Sequence, residues 1–178
     1  KHLLAPNMKG LEQAIQIMDQ AIDQNKKIVI VGDYDADGAT STALMVLALR
    51  DMGANIEYLV PDRFKYGYGL TPKIADLAFT KYQPDLLITV DNGISSHAGV
   101  EQAQAHGMQV IITDHHLTTK ETPTAEAVVN PNQLGCDFPS KALAGVGVAF
   151  YLLANLSSHR RKLGKSTSKV AQYLDLVA

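Results

Sequence analysis

Apolar positions change their period along the chain, and each change marks a new element. In residues 11–25, LEQAIQIMDQAIDQN, the residues Leu11, Ala14, Ile15, Met18, Ala21 and Ile22 fall three or four apart with polar residues between them, which predicts an amphipathic helix. Lys26 and Lys27 lead into IVIV at 28–31, a β-branched run closed by Gly32 and Asp33, as in a strand covered on both faces. After an acidic turn, ATSTALMVLALRDMG at 39–53 is apolar around most of its circumference and predicts a buried helix, with Thr40 or Ser41 near its start and Gly53 able to close it. The alternation then repeats, with strands near 56–60, 86–90, 110–112 and 127–129 and helices near 72–81 and 96–106. Such alternation predicts an α/β fold, a parallel sheet of about five strands with right-handed crossovers and helices on both faces.

The last third is less regular. LAGVGVAFYLLANL at 143–156 predicts a helix despite Gly145 and Gly147, glycines best suited to close helix packing. SSHRRKLGKSTS at 157–168 predicts a mobile basic loop, and its Arg160, Arg161, Lys162 and Lys165 read more readily as solvated charges than as contacts to an anion. VAQYLDLVA, from Val170 to Ala178, starts a further apolar helix that has no cap, as expected of a chain cut from a longer one.

Composition narrows the class. A chain of 178 residues, 46% hydrophobic, is most economically one domain. With no Trp and 6% aromatic residues, the interior must be built from Ala, Val, Ile and Leu. The single Cys136 excludes an internal disulfide framework and a cysteine-rich zinc site and predicts a reducing compartment, the cytoplasm. Residues 1–10 carry no long apolar run of the signal-peptide kind, and no segment approaches the roughly 20 apolar residues of a membrane span. A net charge of −2 is not the basic footprint usual for nucleic-acid binding, unless acids are held by cations. Two divalent ions would add about four positive charges and reverse the field seen by a phosphate.

Three polar clusters each follow directly after a predicted strand: Asp33, Asp35 and Asp37 in GDYDADG, Asp91 in VDNG, and Asp114, His115 and His116 in TDHH. In an open parallel sheet these carboxyl ends share one edge, so residues distant in sequence converge on one crevice. Converging carboxylates oppose one another's ionisation, and a divalent cation resolves the conflict. Aspartate oxygens with imidazole nitrogens suit Mn2+ or Mg2+. Taken singly, an Asp-rich turn can be loop capping, Asp91-Asn92-Gly93 a plain turn, and the two histidines surface residues. The coincidence of all three clusters at strand ends is what points to a metal site. DYDADG also matches the opening of a calcium loop, but Leu44 stands where the bidentate Glu belongs and a strand precedes the motif.

DYDADG, DNG and DHH, in this order, resemble the first three motifs of the DHH phosphoesterases. VGDYDADGATSTAL, VPDRFKYGYGL, TVDNGISSHAGVE, NPN and FPSKALAGVGVAFYL resemble in particular the RecJ branch of that family, from about residue 28 to 153 and again at LDLVA. The resemblance implies one Rossmann-like DHH domain over residues 1–178, with the family's fourth motif, an Asp, lying after LDLVA. It implies two divalent ions, Mn2+ or Mg2+, and metal-dependent 5′-to-3′ hydrolysis of single-stranded DNA in repair and recombination. It implies single-stranded DNA as the substrate, and a single-strand-binding protein and a helicase as partners. Carried over by position, Asp35 would hold one ion, Asp37 and His115 the other, and Asp91 would bridge them, with Asp33 either a ligand or a support. His116 would face the scissile phosphate and Asp114 would orient the histidines. Lacking the fourth-motif Asp, the isolated chain is expected to bind at least one ion and to hydrolyse DNA weakly.

Other residues stay open in the sequence. Arg63, Lys65, Tyr66 and Tyr68 follow the second strand; they are either a solvated loop or a phosphate clamp, Arg63, with tyrosines stacking on bases. Ser95, Ser96 and His97 either cap a helix or offer its N-terminus to a phosphate. Two other functions remain in view: a DHH hydrolase of short oligonucleotides, cyclic dinucleotides or pyrophosphate, and a catalytically inactive scaffold. The presence of Asp35, Asp37, Asp91 and His115 opposes the scaffold. A nucleotide-binding module would need a glycine fingerprint after the first strand, where this chain carries carboxylates.

Overall fold

In the computed structural model, which describes residue 5 and residues 7–118 and 120–177, five parallel strands form one sheet. In chain order they are β1 (Lys27–Gly32), β2 (Asn55–Leu59), β3 (Leu86–Val90), β4 (Gln109–Thr113) and β5 (Ala127–Val129), arranged β2-β1-β3-β4-β5. The α/β expectation holds. Strand β1 is fully sandwiched because both of its faces are apolar. Ile28 and Ile30 join a core cluster with α1 (Leu11–Asp23), α2 (Ala36–Asp51) and α6 (Gly145–Lys162). Val29 and Val31 join a second cluster with α4 (Pro72–Tyr82) and α5 (His97–Ala105).

Register does the positioning. Gly32 pairs with Val90, and Val90 with Thr113, so the next residues Asp33, Asp91 and Asp114 leave three adjacent strands at one level. Strand β1 also pairs with β2 on its other side, so the chain's direction across the sheet reverses at β1, the point at which open α/β sheets form a ligand crevice.

The local differences from the sequence expectations have physical causes. Helix α2 starts at Ala36, three residues before the expected stretch, because Asp35 caps it, its Oδ1 accepting from Gly38 N at 2.9 Å. A Cβ on Gly38 would lie 2.4 Å from Asp33 O, so this turn requires glycine. A one-turn helix, α3 (Arg63–Tyr66), stands where a loop was expected, capped by the Asp62 carboxylate accepting from Phe64 N at 2.9 Å.

The expected mobile loop after residue 156 is instead the last turns of α6 and an ordered return. Arg160, 3% exposed, donates from Nη1 to Asp19 Oδ1 at 2.5 Å and to Asp23 Oδ1 at 3.0 Å, and Lys165 Nζ donates to the same two carboxylates. These charges lock α6 to α1 rather than facing solvent. The following apolar stretch forms a 3-10 segment over Val170–Leu176 instead of an α-helix, and Ala178 lies outside the described residues. Among the described residues no helix is long and apolar enough to cross a membrane.

Candidate metal centre

Asp91 is the centre of the site. It follows β3 in the left-handed region, φ 61°, with 2% of its surface exposed. Its neighbour Asn92 fixes this turn: Nδ2 donates to Val31 O at 3.2 Å and Val90 O at 2.9 Å, while Thr89 Oγ1 donates to the Asn92 carbonyl at 2.7 Å. Asp91 Oδ1 is buried without a hydrogen bond, although His115 Nε2 lies 3.0 Å away. An imidazole nitrogen and a carboxylate oxygen thus face each other at short range. Burial, and then the nearby Asp37 and Asp35 carboxylates, push the Asp91 carboxyl up to about 7.

Asp37 stands beside this pair, its Oδ2 3.7 Å from His115 Nε2. It is held from behind by the start of α6, where Gly145 N donates to Oδ2 and Val146 N to Oδ1, both at 2.8 Å. A Cβ on Gly145 would lie 2.5 Å from Asp91 Oδ1, so only glycine lets α6 approach both acids. Close packing was the reading of Gly145 in the sequence; its grip on Asp37 was not legible there.

Asp114 is 1% exposed and its oxygens are occupied. Oδ1 accepts from His115 N at 2.7 Å, from His116 N at 3.2 Å and from His116 Nδ1 at 2.6 Å, and Oδ2 accepts from Ile94 N at 2.9 Å. It therefore orients the histidines. Burial alone would lower the His116 pKa, but the Asp114 hydrogen bond and the surrounding carboxylates outweigh it and hold the ring above the usual histidine range. His116 Nε2 lies 3.3 Å from the Tyr68 hydroxyl. Burial, together with the field of Asp33, Asp114, Asp91 and Asp35, pushes that phenol up to about 12, so it stays protonated. A cavity of about 200 Å3, lined by Tyr68, Ser95, Ser96, Asp114, His116 and Leu117, opens beside this pair.

The remaining expected residues divide. Asp33 is buried and accepts from Tyr34 N at 2.7 Å, and Arg63 Nη2 reaches its Oδ1 at 3.4 Å, Tyr34 O at 2.9 Å and Asp35 Oδ2 at 3.7 Å. Arg63 is thus tied to the acidic loop. Tyr66 packs against the second core cluster and is not brought into the acid–histidine group, whereas Tyr68 is. Ser96 stands at the N-cap of α5 without capping it, its hydroxyl accepting instead from Leu70 N at 3.1 Å.

Sequence reasoning missed the asparagines that hold the histidine loop. Asn130 Nδ2 donates to His116 O at 3.0 Å, Asn132 Nδ2 to His115 O at 2.5 Å, and Asn130 Oδ1 accepts from Asn132 N at 2.7 Å. The signal was present as NPN directly after β5, on the same edge as the acids.

The donor set fits a divalent cation. One ligand atom each from Asp91, His115 and His116 lies within 4.8 Å of the others, Asp91 Oδ1 has no other partner, and the nearby ligands are oxygen and nitrogen without a thiolate.

The class follows from this fold and edge: residues 27–178 match the model of the DHH family, N-terminal domain, and the chain belongs to that family. Among its relatives is the single-stranded-DNA-specific exonuclease RecJ of Dickeya dadantii, 54% identical over 176 residues, which cover 95% of this chain and 30% of that protein. The RecJ of Escherichia coli is 52% identical over 178 residues, covering 96% of this chain and 31% of that protein. The chain thus spans a little under one third of these relatives. A crystal structure of exonuclease RecJ bound to manganese superposes with a TM-score of 0.82 at 36% identity, covering 98% of this chain and 43% of that one.

Proposed function

We propose that this chain is the metal-binding catalytic core of a RecJ-type exonuclease that hydrolyses single-stranded DNA from its 5′ end, in DNA repair and recombination. The observation that carries the reading is the buried, unpaired Asp91 Oδ1 set 3.0 Å from His115 Nε2 at the edge where the other acids converge. Identity to RecJ exonucleases over nearly the whole chain supports the substrate class, and the manganese-bound relative supports the ion. Single-strand-binding protein and helicase are the partners that this reading expects, and a single buried cysteine suits the cytoplasm.

Asp35, Asp37, Asp91 and His115 would hold Mn2+ or Mg2+, with Asp33 supporting Asp35 through their shared contact with Arg63. When bound, two such ions supply charge compensation for a phosphodiester and activation of a water nucleophile. The chain's own residues prepare the rest. The start of α6 fixes the Asp37 carboxylate, Asn132 and Asn130 fix the backbone of the histidine loop, and Asp114 sets the His116 ring. His116, whose proton affinity is raised by the Asp114 hydrogen bond and the surrounding carboxylates against the effect of burial, is placed to donate toward a phosphate or a leaving oxygen. Tyr68 closes the other side of that ring.

A second assignment is favoured by one observation, the short spacing of His116 to Asp91 and His115, which would make His116 a ligand. His116→Ala separates the two. As a phosphate-facing acid, its loss is expected to lower single-strand hydrolysis by about 10²-fold or more while calorimetric Mn2+ affinity stays within about twofold. A parallel fall in Mn2+ affinity would place His116 on the ion.

A further inference from the structure

Two cavities on the β2 side of the acidic edge share Ala39 and Val60 and so form one trough. The inner one, about 300 Å3, is lined by Asp33, Tyr34, Asp35, Ala36, Ala39 and Val60. The outer one, about 410 Å3, runs between α2 and the edge strand β2 past Thr42, Ala43, Val46, Leu47 and Tyr58. Tyr34 is 63% exposed and Tyr58 49%. Tyr58 rises on the same face of β2 as the buried Ile56, two residues earlier, so it stands toward α2 rather than toward α4.

The lining decides what can occupy it. It contains no Lys, Arg or His, and its only charges are Asp33 and Asp35 at the inner mouth. A phosphate would meet like charge there; Thr42 is buried and already donates to Gly38 O at 2.7 Å, which leaves the Tyr34 and Tyr58 hydroxyls as the donor side chains among the lining residues. An uncharged planar aromatic loses nothing by leaving water against Ala39, Ala43, Val46 and Leu47, and finds two phenol rings to lie against. The trough begins at two carboxylates of the candidate metal centre, Asp33 and Asp35.

We propose that this trough is a nucleobase subsite, in which the base next to the reacting phosphate lies against Tyr34 and the following base against Tyr58. The inference rests on the nuclease reading and adds to it the part of the substrate that the acids and histidines do not touch. Single-strand selectivity follows, because a base paired in a duplex cannot leave its stack to enter a trough beside the sheet edge.

The test is binding of two hydrolysis-resistant phosphorothioate single strands to the chain in Mn2+, one bearing bases throughout and one abasic at its first three positions. Wild type is expected to bind the first roughly a hundredfold more tightly, about tenfold for each of the two stacked bases. Tyr34→Ala and Tyr58→Ala are each expected to weaken that strand roughly tenfold, to leave the abasic strand unchanged, and to be rescued as Tyr34→Phe and Tyr58→Phe, with Mn2+ affinity constant throughout. Equal weakening of both strands, or none of either, overturns the subsite; the second result would make the trough a docking face for apolar protein. Binding of neither strand by wild type would instead bring down the nuclease reading itself, and the subsite with it.

Discussion

Asp91→Asn is expected to stabilise the metal-free chain at alkaline pH while abolishing its stabilisation by Mn2+. Burial and two neighbouring carboxylates raise the Asp91 carboxyl to about 7, far above an unfolded aspartate. The folded chain therefore holds a proton that the unfolded chain releases near pH 4, and the stability this confers is complete below that pH and lost as pH rises through about 7. Asparagine is neutral throughout, fits the same space, and tolerates the left-handed backbone that Asp91 adopts at φ 61°. At pH 8 the variant should exceed wild type by on the order of 2–4 kcal/mol, and the gap should close toward pH 5. Mn2+ should raise the melting temperature of wild type and not of the variant, since the variant lacks the carboxylate proposed to hold the ion. Thermal melts across that pH range, with and without Mn2+, check both halves. A variant less stable than wild type at pH 8 would mean that Asp91 is a structural residue.

Arg160→Ala is expected to destabilise the fold strongly from outside the site. Its guanidinium binds Asp19 and Asp23 on α1, and its Nε and Nη2 reach Ser166 O at 2.8 Å and Ser166 Oγ at 3.0 Å. Truncation leaves Asp19, 7% exposed, with Lys165 and His159 as its remaining partners. Breaking a buried pair from one side costs about 3 kcal/mol or somewhat more. In a chain of 178 residues that lowers the melting temperature by on the order of 10 °C. Asp19→Leu combined with Arg160→Met should recover much of the loss, because neither charge is then left buried alone. The two differ in consequence as well as place: the Arg160 change weakens the fold with the acidic edge intact.

What the sequence disclosed and what it concealed divide by distance along the chain. The strands were legible because Ile28 to Val31 are apolar at every position and Leu86 to Val90 at all but Thr89, and the site because Asp33, Asp91 and Asp114 stand at the ends of such strands. The helical continuation through Arg160 was concealed, since its serine, histidine and basic side chains show no apolar period and the partners that anchor Arg160, Asp23 and Asp19, stand 137 and 141 positions away. Helix α3 was hidden by its length of four residues. Asp37 was visible as an acid, but its capture by the amides of Gly145 and Val146 depends on how α6 meets the edge, which no local pattern encodes. Tyr66 and Tyr68, alike in sequence, were separated only by packing: one ring faces the core and the other faces His116.

The central claim is that the sheet edge is a divalent-metal centre organised by Asp91. Calorimetric titration of Mn2+ into the chain at pH 7.5 tests it directly, with wild type and Asp91→Ala side by side. The account predicts saturable binding of at least one Mn2+ to wild type, release of a fraction of a proton on binding because the Asp91 carboxyl, pushed up to about 7 by burial, is still partly protonated at this pH, and loss of both signals in the variant. Mn2+ binding of equal strength by Asp91→Ala would contradict it.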